Sequence, residues 1–171
     1  MNMMSVAVIG IDPGIHGGIA ALGCDGVGKP IVPIMGEPLR IKDGYIDSGH
    51  ISEFMVLHSP IAAVYVEIPI LKKFNQGNLT TGVNYGMVLS PVIQHGISPS
   101  YVRSAKWTGD MFGHKNKYTK EVGIKFCLDK GFDIPMTSNR KDARRHDGVS
   151  DAYCIAYYGM RCLLREIEYE S

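Results

Sequence analysis

The sequence predicts an α/β domain whose five-stranded mixed sheet is flanked by helices, and three observations carry that expectation. Three apolar or β-branched segments near the start are separated by tight-turn residues, the pattern of an antiparallel meander. A nearly unbroken apolar run at 61–66 reads as a strand buried on both faces. Beyond it, helical spacing alternates with short strand-like segments.

Taken in order, residues 4–11 alternate and are β-branched, and Asp12-Pro13-Gly14 stops them as a strand. Residues 17–23 form a second strand, and the turn at 25–28 leads into a third at 30–35. Asp47-Ser48 has the chemistry of a helix cap, with Ile51, Phe54, Met55 and His58 at helical spacing behind it. The strand at 61–66 ends in Glu67-Ile68-Pro69. A helix over 79–94 is expected to turn Val83, Met87 and Val88 inward, with Pro91 able to kink it. A short fifth strand follows at 100–103, then an amphipathic helix at 119–130 stopped by Gly131. Residues 132–145 read as polar and irregular. From Asp147 a long helix carries Ala152, Ile155, Ala156, Gly159, Met160, Leu163 and Leu164 on one stripe.

A chain of 171 residues fits one domain over 1–171. Its net charge of +1 gives no whole-molecule argument for nucleic acid, so any such argument rests on where the charges sit. Cys24, Cys127, Cys154 and Cys162 show neither a CxxC nor a cluster with histidine, which speaks against a zinc site or a disulfide framework. The N-terminus lacks a signal-like pattern, and a cytoplasmic setting with no membrane partner is the simplest expectation.

The acidic residues carry the chemistry. Asp12 sits where the first strand ends, and Glu67 where the apolar fourth strand ends. Asp147 and Asp151 are four apart at the start of the last helix, on one face. If the first and fourth strands are neighbours, Asp12 and Glu67 emerge side by side, and the last helix can bring its acidic turn against them. Converging carboxylates repel, and protonation or bound cations must offset that repulsion. Hard oxygen ligands without cysteine favour Mg2+ or Mn2+, and two such ions suit phosphodiester hydrolysis. Each residue also has a plainer reading. Asp12 can open a turn, Glu67 can be a solvated strand end, and Asp147 and Asp151 can favour a helix N-terminus.

Three motifs then resemble those of RuvC-type Holliday junction resolvases. Ile9-Gly10-Ile11-Asp12-Pro13-Gly14 with Gly17-Gly18-Ile19-Ala20 is similar to their opening, and Val64-Tyr65-Val66-Glu67 to their second acidic motif. The run from His146 through Asp147, Gly148 and Asp151 to Ala156 resembles the closing motif as it occurs in phage-encoded members. The resemblance implies a ribonuclease H-like fold, a homodimer, and two Mg2+ or Mn2+ ions held by four acidic groups. It also implies paired symmetric cuts at four-way DNA junctions. Asp12, Glu67 and Asp151 match the acidic positions directly. Where many bacterial members carry an acidic residue or histidine, this chain has Gly148, so Asp147 is the expected fourth ligand and His146 the alternative. Lys120 matches a lysine of the family's basic motif, and Lys106 falls in a stretch loosely similar to the other.

Further basic groups cluster at Lys115 and Lys117, at Lys72 and Lys73 beside Phe74, and at Arg140, Lys141, Arg144 and Arg145. They are candidates for phosphate contact, or else simply a solvated charged surface. Ile70 stands near the position where bacterial members stack an aromatic at the junction, a role that is absent here or passes to Phe74, which can equally be a core or dimer residue. Trp107, Tyr157 and Tyr158 are expected to pack. Competing readings are a broader branched-DNA or flap nuclease, a ribonuclease H, a phosphotransferase resembling the actin and sugar-kinase superfamily, and a non-catalytic junction-binding module.

Overall fold

The computed structural model describes residues 6–25, 29–71, 77–113, 118–137 and 145–170, with 166–170 described by backbone alone. In chain order the elements are β1 (Val6–Asp12), β2 (Gly18–Cys24), β3 (Val32–Pro38), β4 (Ile41–Lys42), β5 (Tyr45–Ile46), α1 (Ser48–Leu57) and β6 (Ile61–Glu67). Then follow α2 (Gly77–Gln94), β7 (Ser100–Val102), α3 (Ser104–Phe112), α4 (Lys120–Asp129) and α5 (Asp147–Glu170).

The central sheet has five strands in the order β3-β2-β1-β6-β7. The first three pair antiparallel as the meander predicts, while β6 joins β1 and β7 joins β6 in parallel. Side chains alternate across this sheet. Ile9 and Ile11 of β1, Ile19 and Ala21 of β2, and Val64 and Val66 of β6 share one buried cluster with Ile51, Phe54 and Met55 of α1 and Val88 and Val92 of α2. Val8, Ala20 and Leu22 point the other way, into a second cluster with Trp107 of α3, Cys127 of α4 and the inner stripe of α5. The sheet is therefore sandwiched, with α1 and α2 on one face and α3, α4 and α5 on the other.

Close approach of α5 to the sheet explains two glycines. A Cβ on Gly10 would lie 2.2 Å from the Ala152 carbonyl oxygen, and one on Gly18 would lie 2.7 Å from the Val149 Cα. No side chain fits where the helix backbone rests on the strands, so α5 is seated at a fixed height over β1 and β2.

Two expectations are corrected here. Val83 does not face inward: it is 41% exposed, and Asn84 takes the buried position. The Asn84 side chain accepts a hydrogen bond from the Ile46 backbone N–H at 2.9 Å, so α2 turns to satisfy the β4–β5 hairpin rather than to bury Val83. The segment at 132–145 is not uniformly polar, because Phe132 and Ile134 are buried against α5. The Asp47 cap stands as expected, its carboxylate accepting from Gly49 N at 3.0 Å.

Candidate active site

Asp12 and Glu67 end adjacent parallel strands. The register pairs Ile11 with Val66, so the next residue on each strand leaves the sheet at the same edge. From above, the first turns of α5 settle onto the loop after β1, with Gly148 bridging to Gly17. That contact brings Asp151, one turn further on, over the strand ends. Three residues far apart in sequence thereby come within Coulombic range of one another at one corner of the sheet.

Their electrostatics reflects this proximity. Burial, then the charges of Glu67 and Asp151, push the Asp12 carboxyl up to about 7, against the opposing pull of the Gly14 N–H and Lys120. Burial also raises Glu67, as does the Asp151 charge, while hydrogen bonds from Trp107 and Ser104 lower it. Asp151 is raised by burial and held down by the Tyr118 hydroxyl and the Lys120 ammonium. Carboxylates that raise one another are groups crowded in a poorly solvated place.

Among the described residues, no three His, Cys, Asp or Glu side chains close on a single point. The carboxylates lie within Coulombic range of each other, but each is drawn to its own donor. Asp12 Oδ1 accepts from Gly14 N at 3.2 Å, Glu67 Oε2 from Trp107 Nε1 at 3.1 Å, and Asp151 Oδ1 from the Tyr118 hydroxyl. An all-oxygen donor set whose mutual repulsion Lys120 and the hydrogen bonds only partly offset fits a hard divalent cation, which would offset the rest by ligating the same oxygens.

Asp147 forms an ion pair with Lys120, its side chain only 13% exposed. Tyr118 and Lys120 flank Thr119, the N-cap of α4, so Asp151 and Asp147 both face the start of that helix. Lys120 is thus the cation shared by the acidic corner, paired to Asp147 and acting on Asp12 and Asp151. His146 has a structural task, since its Nδ1 accepts from Val149 N at 3.3 Å and caps α5.

The glycine at 148 has a steric cause. A Cβ there would lie 2.1 Å from the His16 carbonyl oxygen, so the loop after β1 occupies the space a side chain needs. An acidic residue at 148 is incompatible with this approach of α5, and the acidic group falls one position earlier.

Several groups at the site carry no motif. Trp107 packs, as expected, but its indole N–H also holds Glu67. Tyr118, Ser104 and the α2 residues Thr80 and Thr81 gave no signal at all. Thr80, Thr81 and Asn84 line a groove of about 630 Å³ together with Asp12, Glu67, Pro69 and Ile70. Ile70 is 78% exposed on its wall.

Of the basic candidates, Lys106 pairs with Asp110 at 2.9 Å, and Arg145 donates to the Ile134 carbonyl at 2.8 Å. Lys72, Lys73, Phe74, Lys115, Lys117, Arg140, Lys141 and Arg144 lie outside the described residues. No helix among the described residues is long and apolar enough to cross a membrane.

No family model matches this sequence, and no curated protein matches it. Solved structures do match. The structure of Thermus thermophilus RuvC is 24% identical with a TM-score of 0.66, over 92% of this chain and 96% of that one. T. thermophilus RuvC in complex with Holliday junction substrate is 21% identical with a TM-score of 0.68, over 94% of this chain and 96% of that one. The yeast mitochondrial Holliday junction resolvase Ydc2 is 14% identical with a TM-score of 0.55, over 94% of this chain and 81% of that one. At these identities the likeness establishes the architecture: this chain has the ribonuclease H-like fold that it shares with RuvC.

Proposed function

We propose that this chain is a divalent-metal-dependent endonuclease that resolves four-way DNA junctions by paired symmetric nicks, acting as a homodimer in the cytoplasm. The observation that carries the reading is the joint placement of Asp12, Glu67 and Asp151, from β1, β6 and α5, where Glu67 and Asp151 raise the proton affinity of Asp12, and Asp151 that of Glu67, beside an open groove. The shared fold supports it, since one protein of this fold has been captured with a Holliday junction.

In this reading Asp12, Glu67 and Asp151 hold two Mg2+ or Mn2+ ions, with Asp147 as the fourth acidic group. Bound there, the ions supply an activated water and offset the charge that builds on the cleaved phosphate. The chain's own groups do the rest. Lys120, 60% exposed yet paired to the acidic turn, stands where it can exchange its carboxylate partner for a phosphate oxygen. The groove between the strand ends and α2 receives the strand, with Thr80 and Thr81 as hydroxyl donors on its wall. Arg140, Lys141, Arg144 and Arg145, and Lys72 and Lys73, neutralise the flanking duplex arms, with Lys106, Lys115 and Lys117 adding charge around α3 and α4. Phe74 stacks on an unpaired base.

The test is a panel of labelled substrates of equal length: four-way, three-way, flap, linear duplex and RNA–DNA hybrid, each with Mg2+ and with EDTA. Junction resolution predicts metal-dependent incisions at symmetric positions in opposing strands of the four-way substrate. Preferential cutting of the hybrid identifies a ribonuclease H, and preferential cutting of flaps a broader branched-DNA nuclease. ATP hydrolysis without any cleavage points instead to a phosphotransferase, and metal-independent binding without cutting to a junction-binding module.

A further inference from the structure

Beneath the acidic corner two aromatic rings touch, and each holds one carboxylate. Trp107 lies on α3 and is 1% exposed; its indole N–H donates to Glu67 Oε2 at 3.1 Å. Tyr118 precedes α4, and its hydroxyl donates to Asp151 Oδ1. The two rings meet edge to face, with centroids 4.9 Å apart and planes at 75°. A continuous path therefore runs from the carboxylate at the end of β6, through indole and phenol, to the carboxylate on α5.

This path is built into the fold. Phe112 also packs on Tyr118, with ring centroids 5.1 Å apart. On α4, a Cβ at Gly123 would lie 2.4 Å from the Tyr118 hydroxyl, so the glycine leaves the lane through which the phenol reaches Asp151. A buried aromatic ring has two side-chain torsions and strong packing constraints, so a donor on its rim is more fixed than one on a flexible chain. Each donor engages one carboxylate oxygen and thereby sets which lone pairs the other presents.

We propose that Trp107 and Tyr118 are positioning residues that act as one unit, orienting Glu67 and Asp151 for a divalent cation. The inference rests on the metal-dependent reading above, and it is separable from it. Hydrogen-bond partners of metal ligands typically govern affinity by about 10–100-fold. Packing alone predicts no such effect from removing a single hydroxyl.

The chain supplies its own probe, because Trp107 is the one tryptophan in the sequence and its indole is bonded to a proposed ligand. Metal-free protein is titrated with Mn2+ while Trp107 fluorescence is followed, for wild type, Tyr118→Phe and Asp12→Asn. Wild type is expected to quench with saturation, and Asp12→Asn to lose the saturable phase. Tyr118→Phe keeps the ring and the fold, checked by its urea midpoint, and is expected to shift the Mn2+ midpoint upward by about 10–100-fold. Its junction cleavage is expected to recover towards the wild-type rate at high Mn2+, a change in metal dependence rather than in maximal rate.

Trp107→Phe gives a second arm, read by Mn2+-induced thermal stabilisation, and is expected to lose most of that stabilisation. An unchanged Mn2+ midpoint in Tyr118→Phe, with the fold intact, overturns the positioning role and leaves the metal reading standing. Absence of any saturable response in wild type, together with metal-independent behaviour on DNA, overturns both.

Discussion

Replacing Asp12 by asparagine should stabilise the metal-free protein at alkaline pH, and the size of that gain follows from the site. The carboxyl is displaced from 3.8 to about 7 by burial and by the charges of Glu67 and Asp151. Each unit of displacement is about 1.36 kcal/mol, so complete ionisation of Asp12 costs the folded state up to about 4 kcal/mol. Asp12 keeps partial access to the groove, and solvent screening brings the expected range to about 2–4 kcal/mol.

The sign follows from linkage. Below pH 3.8 the carboxyl is protonated in both states, and the fold bears no penalty. Between pH 3.8 and about 7 the folded state retains a proton that the unfolded state has released, so stability falls as pH rises. Above pH 7 the loss is complete. Asparagine stays neutral throughout and keeps an Oδ1 to accept from Gly14 N.

Urea melts of wild type and Asp12→Asn in EDTA should therefore coincide near pH 4 and separate towards pH 8, the variant being more stable. The same gap moves the melting temperature by roughly 2–4 °C per kcal/mol for a domain of this size. Saturating Mg2+ should close the gap by stabilising wild type alone, by about 2.7 kcal/mol at a hundredfold excess over its dissociation constant. A variant that is less stable at pH 8, or a difference that does not vary with pH, refutes the crowding of carboxylates at this corner.

Three further outcomes are expected. Lys120→Met removes the cation that lowers Asp12 and Asp151, so the acid limb of the pH–rate profile should move to higher pH and cleavage should fall at least about tenfold. Gly10→Ala puts a methyl 2.2 Å from the Ala152 carbonyl oxygen, and denaturant melts should show a loss of about 3 kcal/mol or more as α5 is lifted off β1. Replacing Arg140, Lys141 and Arg144 together by alanine should flatten the salt dependence of junction binding by about 0.9 in log–log slope for each phosphate left unneutralised, and an unchanged slope removes these residues from the interface.

Much of the fold was legible because the strands of the sheet bury different faces to different extents. The apolar run at 61–66 marks an inner strand, and β6 lies between β1 and β7, but it is fully buried only through Val64 and Val66, while β1 is the middle strand that is buried on both faces. Asp12 and Glu67 were readable as neighbours because each follows the last apolar residue of a strand, and a parallel pair delivers such residues to one edge.

What escaped had weak local signals. In α3, nine residues long, Trp107 is the buried side chain, and a helix this short holds few repeats of the helical spacing. The β4–β5 hairpin did leave a mark in Asp43-Gly44, two residues with positive φ of 53° and 84° between Ile41-Lys42 and Tyr45-Ile46. An aspartate-glycine pair flanked in this way is a hairpin signal. Asn84 and Tyr118 were invisible for a deeper reason. Their partners, Ile46 N and Asp151, are distant in sequence, and no spacing rule connects a lone polar side chain with the group it will satisfy.

Everything proposed for this chain turns on whether the corner formed by Asp12, Glu67 and Asp151 cuts DNA. The decisive measurement pairs junction binding with junction cleavage for wild type and Asp12→Asn, at matched protein concentration in Mg2+. Both proteins should bind the four-way junction comparably, while wild type makes symmetric incisions and the variant makes none above background. Cleavage by Asp12→Asn at the wild-type rate would contradict the assignment of this corner as the metal site.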